Sequence, residues 1–200
     1  MTKVVNRAMA EVLGNPPEIL KGRVDDQKDR IIGSNENFIG AGTLAEVIRI
    51  LTVGLGKVTA GMEKTLEASQ LADDGRQFFE LLTQTFPELA EVVNGQLTTQ
   101  QLRTTSLLGS STMLRILAGS YHLIRACRGE AAAIGVFTKL ATHTAAPIDS
   151  STLSGQLWVN CGSQETFIDG AMAPGARSQQ IKDAVLTISG WASEPPRELS

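Results

Sequence analysis

The chain is poor in the residues that usually build metal sites and cross-links. Its two cysteines, Cys127 and Cys161, lie far apart, with no CxxC spacing and no accompanying pair of histidines. That pattern excludes a zinc-finger arrangement and a disulfide framework, and it points to a reducing compartment. No charged amino-terminal region leads into an apolar one, and no stretch approaches about 18 uninterrupted apolar residues. A cytoplasmic chain without a membrane partner is therefore expected. Repeats at solenoid periods and low-complexity tracts are also missing. Positive charge is in short supply: 18 Lys and Arg against 21 Asp and Glu leave a net charge of −3. Affinity for nucleic acid through counterion release should be weak unless the basic residues gather on one face.

What is present is an ordinary globular composition, 42% hydrophobic and 20% charged over 200 residues. Such a chain can bury a core without disulfides or metals. The apolar spacing predicts a mainly α fold, an irregular multi-helix bundle with a short strand or two. We expect a helical domain over 1–150 and a small C-terminal appendix over 151–200, whose final helix packs on the first domain.

Arg7 to Leu13 reads as a short helix stopped by Gly14-Asn15-Pro16-Pro17, while Val4-Val5 fits either the end of a strand or the start of that helix. So abrupt a beginning is what a fragment or a truncated gene would give. Thr43 and Glu46 fit a capping box before Leu44, Val47, Ile48, Leu51 and Leu55, which share one helical face over about 44–55. Met62, Thr65, Leu66 and Ser69 suggest a helix over 59–71, with Asp73-Asp74 opening the next segment. Phe78, Phe79, Leu81, Leu82 and Phe86 crowd that segment, and Pro87 closes it while opening a further short helix through Val93. Asn94-Gly95 ends this helix. Ala131 to Thr142 reads as a helix, Thr144 to Gly155 as a loop, Gln156 to Val159 as a short strand, and Gln180 to Ile188 as the last helix.

Several patterns invite a chemical reading and also have a plainer one. Gly33, Gly40, Gly42, Gly54 and Gly56 suggest a phosphate loop, yet neither GxGxxG nor GxxxxGK[ST] is spelled. Gly40-Ala41-Gly42-Thr43 precedes a helix without a clear strand before it, so a turn and cap is the simpler reading. Asp25, Asp26 and Asp29 lack an EF-hand's alternating ligands and are interleaved with Lys28 and Arg30, as in a solvated polar segment. His122 and His143 have no serine or cysteine nucleophile at a family-like spacing, which favours structural histidines over proton transfer. No cofactor and no catalytic residue is predicted.

The most informative stretch is TTQQLRTTSLLGSSTMLRILAGSYHLIRACR. Thr98 and Gln101 form a capping box, and Gly109-Ser110-Ser111 separates two helices in a helix-turn-helix outline. Arg103, Arg115, Arg125 and Arg128 are the candidates for DNA or anion contact, with Arg115 and Arg125 close to three turns apart. The second helix nevertheless becomes strongly apolar, which suits a core helix better than a recognition helix.

Read in order, Phe78-Phe79, Phe86-Pro87, Asn94-Gly95, Leu102-Arg103 and the helix from Met113 to Ile124 follow one another as an aromatic-led helix, a proline-initiated short helix, a turn, and a Leu-Arg-headed helix leading to an apolar one. The flanks VVNRAM, GRVDDQKDRIIGSNENFIGAGTL and LWVNCGSQETFIDGAMAPGARSQQIKDAVL fit the same order. This arrangement resembles the C-terminal half of the DndB-like proteins, the DGQHR-motif family associated with DNA sulfur modification. The motif itself, which belongs to the family's ParB-like N-terminal half, is absent from this chain. The resemblance implies a helical module with a regulatory or DNA-associated role rather than a catalytic one. Its implied partners are DNA, a protein, or a second copy of itself. The competing expectation is a protein-interaction or oligomerisation module without its own activity.

Overall fold

A computed structural model describes residues 2–26 and 35–199. Asp29, Lys28, Arg30 and Gly33 lie outside the described residues. Ten α-helices and one two-stranded parallel sheet make up the regular structure among them, so the fold is mainly α. In chain order these are α1 (Lys3–Gly14), β1 (Val24–Asp25), β2 (Ile39–Gly40), α2 (Ala41–Val53), α3 (Ala60–Glu63) and α4 (Ala68–Thr85). There follow α5 (Pro87–Val93), α6 (Thr99–Thr105), α7 (Ser111–Arg128), α8 (Glu130–Leu140), α9 (Leu153–Val159) and α10 (Ser178–Gly190). No described helix is long and apolar enough to cross a membrane.

The long helices form because their apolar residues recur at three- and four-residue intervals. In α4, Ala68, Leu71, Ala72, Gly75, Phe78, Phe79 and Leu82 are all buried, so one stripe runs the length of the helix and faces α1 and α2. This stripe explains why α4 starts at Ala68 instead of opening at Asp73: Asp73 and Asp74 fall on its polar side, within a continuous helix. The expected helix over 59–71 is correspondingly reduced to α3, whose N-cap Thr59 accepts a hydrogen bond from Met62 N. Phe86 ends α4, and Pro87, which needs no N–H partner at a first helical position, starts α5.

Around α7 the packing is aromatic. Phe78 meets Phe79 at 5.7 Å, Tyr121 at 5.6 Å and Phe137 at 6.5 Å between ring centroids, all edge-on or tilted. Such pairs contribute about 0.5–1.5 kcal/mol each beyond area burial. Helix α7 buries residues from Thr112 to Ile124 on most of its circumference, as a central core helix does. On its far side α10 closes in at Gly119, where an added Cβ would stand 2.7 Å from Val185 Cγ2, so only glycine permits the approach. The C-terminal helix thus packs on the body, and its buried residues join the same apolar cluster.

Three local expectations are corrected. The proposed capping box of Thr43 and Glu46 does not form: the chain passes straight from β2 into α2 with Gly40 as N-cap, and Glu46 pairs with Arg49 instead. A strand does therefore lead into this helix: Gly40 ends the two-residue β2, which pairs in parallel with β1, and Ala41, Gly42 and Thr43 already belong to α2. The strand expected at Gln156 to Val159 is helix α9. Thr152 caps it by accepting from Gly155 N, and adjacent Leu157 and Trp158 are both buried, which the strict alternation of a half-buried strand would not allow. Val4 and Val5 are resolved as the first turn of α1.

Candidate functional site

Helix α6 begins with the capping box that its sequence spells: Thr98 Oγ1 accepts from Gln101 N, and Gln101 Oε1 accepts from Thr98 N. A 3-10 turn over Leu107–Gly109 then folds the chain back so closely that a Cβ on Gly109 would lie 2.5 Å from Arg103 Cα. Ser110 Oγ caps α7 by accepting from Thr112 N and Met113 N. Two helices joined by a tight turn are therefore present.

Each of the four candidate arginines has its own surroundings. Arg103 donates through Nη1 to the Asn37 carbonyl at 2.7 Å and through Nη2 to the Asn35 carbonyl. Thr99 Oγ1 adds a bond to Glu36 O at 2.6 Å, so α6 holds residues 35–37 in place beside the strand pair. Burial pulls the guanidinium's pKa below its ordinary value. Arg115 donates to Ser111 O and Thr112 Oγ1, both at 3.3 Å, and its charge helps Arg49 to hold the Glu46 carboxyl below its usual range against the opposing effect of burial. Arg125 pairs with Asp74 of α4 at 3.3 Å and lies over the Tyr121 ring at 5.2 Å. Arg128 is exposed at the end of α7. Ten residues of helix separate Arg115 from Arg125 by about 15 Å in height and roughly 80° in direction. They lean toward α2 and α4 respectively, while Arg125 and Arg128, three residues apart, share the last turn of α7.

The histidines differ in the same way. Nδ1 of His122 donates to Leu51 O at 2.8 Å, and its ring packs on Gly54, a residue with φ +65°. His143 Nδ1 lies 3.0 Å from Ser154 Oγ, while Glu198 acts on the ring from the C-terminal turn. Burial lowers the His143 pKa and Glu198 partly restores it. This serine, histidine and carboxylate were not linked by any sequence spacing. They do not line the groove described below, and the first-turn amide at Gly155 already donates to Thr152 Oγ1 rather than toward a reacting oxygen.

Two further features escaped the sequence. Glu88 Oε1 accepts from the buried hydroxyls of Ser106 and Thr144, joining α5 to the turn after α6 and to the segment after α8, while its Oε2 is buried without a hydrogen-bond partner. An open groove of about 750 Å³ lies between residues 165–168 and 173–177, with Gln180 of α10 at its side. Among the described residues no three of His, Cys, Asp and Glu come together to hold a metal ion. Asp25 is buried and accepts from Asn35 Nδ2 at 2.6 Å, whereas Asp26 is exposed. Cys127 is exposed, and burial raises the pKa of the Cys161 thiol. The chain matches no known family, no curated protein and no solved structure.

Proposed function

We propose that this chain is a non-catalytic helical module of DNA-modification machinery, of the kind that the C-terminal half of DndB-like proteins represents, and that it acts by docking on a protein. The observation that supports docking over direct DNA contact is the engagement of Arg103, Arg115 and Arg125 with acceptors of their own fold. A guanidinium already engaged by a carbonyl or a carboxylate has fewer of its five N–H donors left for a phosphate and is tethered away from it, which reduces the gain from that contact. Exposed apolar side chains at Leu153, Ile168 and Met172 in the C-terminal segment offer the surface that docking uses. A regulatory role in DNA modification would then be exerted through the partner that contacts the DNA.

Fluorescence anisotropy with duplex DNA tests this reading. The Arg115→Ala/Arg125→Ala double variant should match the wild type at every salt concentration. A clear loss of affinity in that variant, with its fold intact by circular dichroism, would restore the arginines as the DNA-contact site.

A further inference from the structure

The groove beside α10 is a built feature. Gly175 N donates to Thr166 O at 2.7 Å, and Gln180 Nε2 donates to Glu165 O at 2.8 Å, so its two walls are tied through the backbone. Ile168 stands at its rim with 57% of its surface exposed, and Ala173 and Ala176 line it. Across the opening Arg177 and Glu165 form an ion pair at 3.1 Å, with side chains 79% and 71% exposed. A pair so exposed adds little to folding. Its two charges cancel, so the patch attracts neither a polyanion nor a polycation.

One patch therefore carries an apolar knob, a groove for a knob, a positive group and a negative group. That combination is what a twofold interface needs, because each element must find its complement on the same surface of the other copy. We infer that the groove is a self-association surface, in which Ile168 of each copy enters the other's groove and Arg177 of one copy meets Glu165 of the other. The inference rests on the protein-docking reading above and names a second copy of the chain as the partner.

Sedimentation velocity of the full chain over a wide concentration range is the test. The wild type should pass from monomer to dimer as concentration rises. Ile168→Asp should weaken the dimer by about tenfold or more. Leu186→Asp, at a position 52% exposed on α10 but outside the groove lining, should leave the dimer intact. Arg177→Glu and Glu165→Arg should each weaken the dimer of that variant, and an equimolar mixture of the two should form a mixed dimer, a recovery that restoring the ion pair within one copy cannot give. A monomer at every concentration, or an Ile168→Asp dimer as tight as the wild type, would overturn the inference. Neither result depends on DNA, so failure here leaves the docking reading standing with a different protein as occupant, and failure of that reading is scored separately by the anisotropy.

Discussion

The helical body and the segment that follows Leu140 bury aromatic residues by different means. In the body, Phe78, Phe79 and Phe137 are carried inward by regular helical spacing and need only apolar neighbours; Phe86 joins them from the end of α4, and Tyr121 also donates its hydroxyl to Glu130 Oε1 at 2.8 Å. In the C-terminal segment, Trp158 packs on Phe167 at 4.8 Å and on Trp191 at 6.3 Å, but it is also fixed by donating Nε1–H to the His143 carbonyl. Around it the chain is irregular and is held by side-chain bonds to backbone: Asp149 Oδ1 accepts from Ser151 N, Asp169 Oδ1 from Ser150 N, and Gln180 Oε1 from Arg177 N. Non-directional burial dominates the aromatic cluster of the first region, and directional hydrogen bonds add to burial in fixing the second.

The largest expected effect lies in the body. Phe78→Ala should cost about 3–5 kcal/mol in urea unfolding, because a fully buried ring with three aromatic neighbours leaves a cavity. Arg103→Ala should cost about 2–3 kcal/mol by removing charged hydrogen bonds to the Asn35 and Asn37 carbonyls, and it should leave DNA affinity unchanged. Trp158→Phe keeps the ring contacts and removes the N–H, so a loss of about 1–2 kcal/mol is expected there. A cost near zero would break the comparison, since packing alone would then explain both regions. Arg125→Ala should cost only about 0.5–1 kcal/mol, given the single 3.3 Å contact of its partly buried pair with Asp74.

The smallest effect concerns pH. The His143 pKa is lowered in the folded state, chiefly by burial, so the unfolded chain takes up the proton first as pH falls. Stability present above the ordinary value of 6.5 is thus lost as pH falls through it toward the lower folded value. His143→Asn should flatten the decline in melting temperature over that range, and an unchanged slope would assign the decline to other groups.

This contrast also explains what could be read from the sequence. The helices of the body were legible because spacing alone decides which face is buried, and caps such as Thr98 with Gln101 and Ser110 mark their starts. Their limits were less legible: the stripe that begins at Ala68 is visible only once Ala72 and Gly75 are recognised as core positions, and Asp73-Asp74 masks it. In the C-terminal segment α9 was taken for a strand, because seven residues span too few turns to show a helical period. The four arginines were legible as charges but not as interactions. The partners of Arg103, Arg115 and Arg125, namely Asn35 and Asn37, Ser111 and Thr112, and Asp74, are set by tertiary contacts or by local rotamers that spacing does not encode. The groove was invisible for the same reason, since it depends on Gly175 meeting Thr166 across a loop.

The most direct test of the proposal that Arg103, Arg115 and Arg125 serve the fold rather than DNA is the slope of duplex affinity against salt, for the wild-type chain and for Arg115→Ala/Arg125→Ala. Negligible binding is expected, or weak binding with a slope near that of one or two neutralised phosphates and the same in both proteins. A steep slope equivalent to about four or more phosphates that the double substitution flattens would contradict it, because those arginines would then be meeting the nucleic acid.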